Sequence, residues 1–228
     1  MLSIPIVLLK ATVSAALGAP SHPPAAVIES IVGSPSGGIQ LMDYAEPGEV
    51  IKLGQHDTVV IGYLKSCWHE IITGGTITVG TVQSDVQGGH VERSQAACDG
   101  GRMLLTAQLA NLSAGAAFRA GPKRKPESPP RPEFTLYGLS PVIEVKPSGT
   151  LLIERVDRPE ERHEIALAQA WLTHGTFLDL AKSGVVLSAG GIYTAKAGEQ
   201  EMTFKIDPGA TSGAVPIISR LIRLQPAS

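Results

Sequence analysis

At 228 residues the chain has room for one larger domain or two small ones, and its 43% hydrophobic content describes a folded chain rather than a disordered one. A formal net charge of -2 gives no electrostatic reason to expect nucleic acid, because phosphate neutralisation needs a concentrated basic surface and the one basic cluster, Lys123-Arg124-Lys125, lies among prolines. Aromatics are scarce at 4% while 25 glycines and 17 prolines are present, a balance that suits a turn-rich, small-residue β protein.

Residues 1–18, MLSIPIVLLKATVSAALG, read as a signal peptide. Residues 1–9 are apolar, residues 11–19 are small and apolar, and Ala16-Leu17-Gly18 offers small residues at both positions that a signal peptidase reads. Lys10 interrupts the run and no basic residue precedes it, which is how the apolar N-terminus of a cytosolic protein would look. Export to the periplasm or the medium is the expectation. Contact with a membrane is expected only if the segment stays uncleaved, where Lys10 would be costly near the centre of a span.

Beyond a Pro/Ser/His-rich stretch, β-branched runs alternate with Gly, Asp and His turns. Residues 26–32 predict a first strand, ended by the Gly-Ser-Pro-Ser-Gly-Gly sequence at 33–38. Residues 50–53, 58–64, 69–73, 76–79 and 82–86 follow as short strands, punctuated by Gly54, Gly62, Gly74-Gly75, Gly80 and Gly88-Gly89. In residues 76–79 threonines occupy one face and Ile77 and Val79 the other, as a half-buried strand requires. Gly74-Gly75 can supply the positive φ angles of a tight hairpin turn. Residues 102–109 fit either a strand or a short helix. The two cysteines, Cys67 and Cys98, are expected to pair in an oxidising compartment, closing a loop of about 30 residues for a gain of about 3–4 kcal/mol. Two buried free thiols are the alternative, because pairing does not follow from spacing alone.

Residues 119–133, RAGPKRKPESPPRPE, are proline-rich and charged, and predict an extended linker between two domains, 27–118 and 134–224. In the second domain residues 134–137, 142–145, 150–155 and 163–168 predict strands, with Lys146-Pro147-Ser148-Gly149 as a turn. Residues 176–184 predict a short helix, with Thr176 as N-cap, an apolar face, and Gly184 just past its end. Residues 192–197 and 201–206 predict a hairpin, and residues 215–224 a last strand. The fold class is therefore all-β: two small β-rich domains, the second a sandwich with one short helix.

The succession Pro47-Gly48-Glu49-Val50-Ile51, Leu53-Gly54, Asp57, Val59-Val60 and Gly74-Gly75-Thr76-Ile77-Thr78-Val79-Gly80 resembles FecR-type periplasmic domains over residues 27–101. In that pattern an opening strand leads to a turn glycine with an acidic neighbour, then an apolar strand, then a strand bounded by glycines. The second half, with Leu187-Ser188-Ala189-Gly190-Gly191-Ile192-Tyr193 followed by Met202-Thr203-Phe204, is similar to a small Ig-like sandwich. The resemblance implies a cell-envelope module for sensing or scaffolding, with an envelope protein as partner, no cofactor and no chemistry of its own. The cysteine pair stands outside the general pattern. So does the lack of a helical, sigma-factor-binding region ahead of the apolar segment, and a free-standing exported relative is expected.

Three chemistries compete with that reading. In Cys67-Trp68-His69-Glu70 a strand would put Cys67 and His69 on one face, about 6–7 Å apart. Asp57, Glu70 or Asp99 could orient the imidazole of a cysteine-dependent hydrolase. His56-Asp57 and His69-Glu70 on adjacent strands could hold a metal for a metal-assisted hydrolase, although His56, His69, His90, His163 and His174 show no two-ligand spacing and no metal is expected. Trp68 and Trp171 could stack on sugar rings of a carbohydrate or peptidoglycan ligand if exposed. The candidate binding surface is Trp68, His69, Glu70 and Trp171, with no catalytic residue assigned.

Overall fold

The computed structural model describes residues 23–102, 131–146, 148–213 and 215–224. The expected signal peptide at residues 1–18, the segment at residues 103–109 and the expected linker up to residue 130 lie outside the described residues. Strands β1 (Ala26–Val32), β2 (Tyr44–Ala45), β3 (Val50–Tyr63), β4 (Trp68–Thr78), β5 (Asp85–Gln87) and β6 (His90–Gln95) form one antiparallel sheet. Its order is β2-β1-β3-β4-β5, and β6 also pairs with β4. Ile51, Leu53, Val59, Ile61, Tyr63, Ile72 and Ile77 line its core.

Two long strands thus replace four expected short ones, and the reason is a change of parity. On β4 the buried positions are Glu70 and Ile72 before the glycine pair, Gly74 within it and Ile77 after it. A period-two backbone cannot keep Ile72 and Ile77 on one face without one extra residue. Gly74 and Gly75 provide it with φ angles of +67° and +82°. A Cβ on Gly75 would stand 2.5 Å from the Gln87 carbonyl oxygen, so only glycine fits there. The pair is a bulge inside a strand and not the expected hairpin turn. Opposite it, pairing jumps from Leu53–Gly75 to Thr58–Thr73. Asp57 closes this excursion, its carboxylate accepting the Gly54 N–H at 2.8 Å and the Ser34 N–H at 3.2 Å. The β3–β4 hairpin turns instead at residues 64–67, where Cys67 takes φ +60°.

The second half is built from β7 (Phe134–Gly138), β8 (Val142–Glu144), β9 (Thr150–Arg155), β10 (Arg162–Ala166), β11 (Phe177–Asp179), β12 (Ile192–Ala197), β13 (Gln200–Thr211) and β14 (Leu221–Arg223). A five-stranded sheet, β10-β9-β12-β13-β7, faces a three-stranded one, β11-β8-β14. Phe134, Ile153, Tyr193 and Phe204 of the first meet Ile143, Leu178 and Ile222 of the second in a common core. This is a β-sandwich, and the protein is all-β. No strand pair among the described residues joins it to the first sheet.

The helix expected over residues 176–184 is absent. Phe177 and Leu178 are both buried but in different clusters, one between the modules and one in the sandwich core. A strand sends neighbouring side chains to opposite faces, whereas a helix of this length offers one apolar stripe. The stop signal does operate, on a single turn: the Val185 N–H donates to the Leu180 carbonyl at 3.0 Å, and Gly184 takes φ +71°. The last expected strand also shortens to β14. Pro216 has no N–H to pair, and the Ser219 and Arg220 N–H groups turn back to the carbonyls of Pro216 and Ile217 in a 3-10 turn, Ile217–Ser219.

The charged run at residues 157–163 is anchored from the sandwich sheet. Buried Arg155 donates to Asp157 at 2.7 Å and to Glu161 at 3.0 Å, and Tyr193 also donates to Glu161. Burial alone would raise the Glu161 carboxyl, but the hydrogen bonds from Tyr193, Arg155 and Ser188 outweigh it and hold the group at about 2, against an ordinary 4.5. The folded state therefore binds fewer protons here than the unfolded chain does. Its stabilisation is complete above about pH 4.5 and is lost as pH falls through about 2. Acid titration of stability should accordingly be shallower between about pH 5 and pH 2 for Glu161→Gln than for the wild type, as urea midpoints would show. Equal slopes would remove this assignment.

Candidate functional site

The two halves meet through side chains that the sequence places far apart. Val27, Met42 and Leu64 of the first module pack with Val142, Phe177, Ile218 and Leu221 of the second. Ile218 seats on β3 at Gly62, where a Cβ would lie 2.5 Å from the Ile218 Cγ2 and 2.3 Å from the Glu29 Oε1. Gly62 is thus a close-approach glycine in mid-strand and does not end the strand. The Ile218 N–H donates to the Glu29 Oε1 at 2.8 Å, and the Tyr44 hydroxyl donates to the Glu144 Oε2 at 3.0 Å. Arg223 lies over the Tyr44 ring at 4.3 Å and donates to Glu144 at 2.7 Å. Burial, followed by the Glu144 charge, holds the Tyr44 phenol well above its ordinary value.

Beside this contact a cleft of about 390 Å³ opens between the modules. Leu41, Met42 and Val60 wall it on one side and Val142, Phe177 and Ile217 on the other, with polar groups around them. Glu29 reaches it because the β1–β3 register shifts between Ile28 and Ser30, a bulge that re-aims the side chain. Its Oε2 lies 3.3 Å from the His69 Nε2. Across the cleft, Asp179 on β11 is held by Arg220 at 2.7 and 3.3 Å and accepts the Ala181 N–H at 3.1 Å. Met42 has a left-handed backbone, φ +72°. For a non-glycine residue that costs about 1–2 kcal/mol.

The four residues of the expected binding surface are not brought together. Alternation on β4 turns Trp68 toward the first core, where it packs partly buried, and His69 to the opposite face, in the cleft. Glu70 is wholly buried and cannot be part of a surface. Its carboxylate accepts the Arg93 Nε–H at 2.6 Å and the Ser84 N–H at 3.2 Å, tying β6 and the segment before β5 to β4. Trp171 is 62% exposed, on a 3-10 turn of the other module.

Cys67 and Cys98 form a disulfide, with Cα atoms 5.6 Å apart. Cys67 so bonded has no thiolate to offer His69. Asp99 accepts the Gly101 N–H at 2.8 Å, and Asp57 closes the β3 excursion already described. Among the described residues no group of three or more His, Cys, Asp or Glu side chains converges on one point. No helix among them is long and apolar enough to cross a membrane.

No family model, curated protein or solved structure matches this chain.

Glu29, Met42, Phe177 and Lys182 carry the cleft, and no motif in the sequence singles them out. One signal for Glu29 is present: a carboxylate in the middle of the apolar run AVIESIV. A strand buried on both sides of such a residue needs a reason to keep it.

Proposed function

We propose that this chain is a non-enzymatic, exported protein of the cell envelope, with a FecR-like first module and an Ig-like second one, that binds a protein partner in sensing or scaffolding. The observation that carries the reading is the Cys67–Cys98 disulfide, a bond that persists in the periplasm or outside the cell and is rare in the cytosol. Its position supports partner binding as well. The bond fixes the chain just past β6, which among the described residues is an edge strand pairing only with β4, with most of its residues exposed. An open edge of this kind accepts an added strand, and the charges of Glu92 and Arg93 restrain indiscriminate pairing.

Mass analysis of the full chain expressed with residues 1–22 in place tests the reading. After blocking with an alkylating reagent, extracellular or periplasmic material should begin after Gly18, carry no alkyl group, and be lighter than the dithiol by a pair of hydrogens. Cytosolic retention with both thiols alkylated would overturn it.

The exposure of Trp171 favours a second reading, a carbohydrate-binding module in which this ring stacks on a sugar. Retention on cell-wall material that is lost in Trp171→Ala would replace the partner-binding proposal.

A further inference from the structure

We propose that the cleft between the modules binds a small amphiphile with an apolar chain and one anionic head, of the class of medium-chain fatty carboxylates. The site does not depend on the partner-binding role. Its volume of about 390 Å³ lies in the range of small-molecule sites, and its facing walls are aliphatic and aromatic, as such sites require.

The charge of the head follows from which polar groups on the walls are already matched. Glu29 holds the Ile218 N–H and faces His69, and Asp179 holds Arg220 and the Ala181 N–H. Arg220 in turn gives its remaining hydrogen bonds to the carbonyls of Ser140 and Val215. Lys182 differs. Its Nζ donates to the neutral Thr173 hydroxyl at 3.3 Å, and it makes no ion pair among the described residues. A cation at the edge of an apolar cavity favours a ligand that brings an anion to it and leaves its chain between Met42 and Phe177. A cationic head would find both carboxylates already engaged.

Two backbone irregularities point to the same place. Met42 is held in a left-handed conformation at the wall, and the β1 bulge at Glu29 turns a carboxylate out of its strand toward the opposite module. Strain and bulges of this kind persist where a site needs a side chain aimed against the local preference.

Dodecanoate, titrated below its micelle concentration into the full oxidised chain carrying methyl-labelled methionine, tests the proposal. The Met42 methyl signal should shift saturably with one equivalent bound, while Met202, which lies in the sandwich core, stays unmoved. Affinity should rise about fourfold per methylene from octanoate to dodecanoate. Lys182→Ala should weaken dodecanoate about fivefold and leave dodecanol unchanged. Three results would overturn the site: no shift at Met42, equal shifts at Met42 and Met202, or the same loss for acid and alcohol in Lys182→Ala.

Discussion

Replacing Cys67 and Cys98 together by alanine should lower the unfolding free energy by about 3 kcal/mol and the Tm by roughly 10 °C. The size follows from a sequence separation of 31 residues, which the bond removes from the freedom of the unfolded chain. Where the loss falls follows from the sheet. The bond joins the turn that begins β4 to the segment that follows β6, and β6 is a mostly exposed edge that buries little surface of its own. Each of its backbone hydrogen bonds is worth about 1 kcal/mol, so without the bond the edge is held by its ladder to β4, the Gln95–Ser66 contact and the Glu70–Arg93 pair, with little buried surface to add to them. Amide exchange should therefore lose protection over His90–Gln95 before it does over the β3–β4 centre. Reducing the wild-type protein should give the same pattern. A loss below about 1 kcal/mol, or uniform loosening of the whole sheet, would show that the bond is not what secures this edge.

Much of the fold is legible in the sequence because it rests on local rules. β1, β9 and β12 match the expected ranges, Ala26–Val32, Thr150–Arg155 and Ile192–Ala197, since each is a short apolar run between turns, and β9 and β12 alternate cleanly as well. Where the sequence misleads, the same residue type has a second use. Gly74-Gly75 looks like a turn, yet the odd spacing of Ile72 and Ile77 requires that one residue drop out of the pleat. Residues 176–184 carry both a helix start and a helix stop, and the choice falls to partners more than 30 residues away. β8 supplies the pairing for β11, and two separate clusters demand Phe177 and Leu178 on opposite sides. Tertiary demand overrides local propensity there.

The cleft is illegible for a different reason. His69 stands out in the sequence for its neighbour Cys67, but its actual partner is Glu29, reached across β3. The far wall comes from Phe177, Lys182 and Ile217. Nothing in one sequence says which strands face each other across a module boundary. The close approach at Gly62 helps to fix that contact, and a glycine in a strand has many commoner meanings.

Arg220 holds the second wall of the cleft in place, and its replacement by methionine should cost about 3 kcal/mol. The side chain is 11% exposed and makes four hydrogen bonds, two to Asp179 and one each to the carbonyls of Ser140 and Val215. Neutral hydrogen bonds lost one by one would amount to about 1 kcal/mol each, partly recovered by water. The greater cost comes from the Asp179 carboxylate, 16% exposed, left without its counter-charge beside apolar walls. Adding Asp179→Leu to Arg220→Met should therefore restore at least about 1 kcal/mol, because removing both members of a sheltered pair costs less than stranding one. Urea unfolding of the two variants measures this directly. If the double variant is less stable than Arg220→Met, the carbonyl contacts rather than the ion pair govern this wall. Pairing with Arg220 would then not be what positions β11 against the first module.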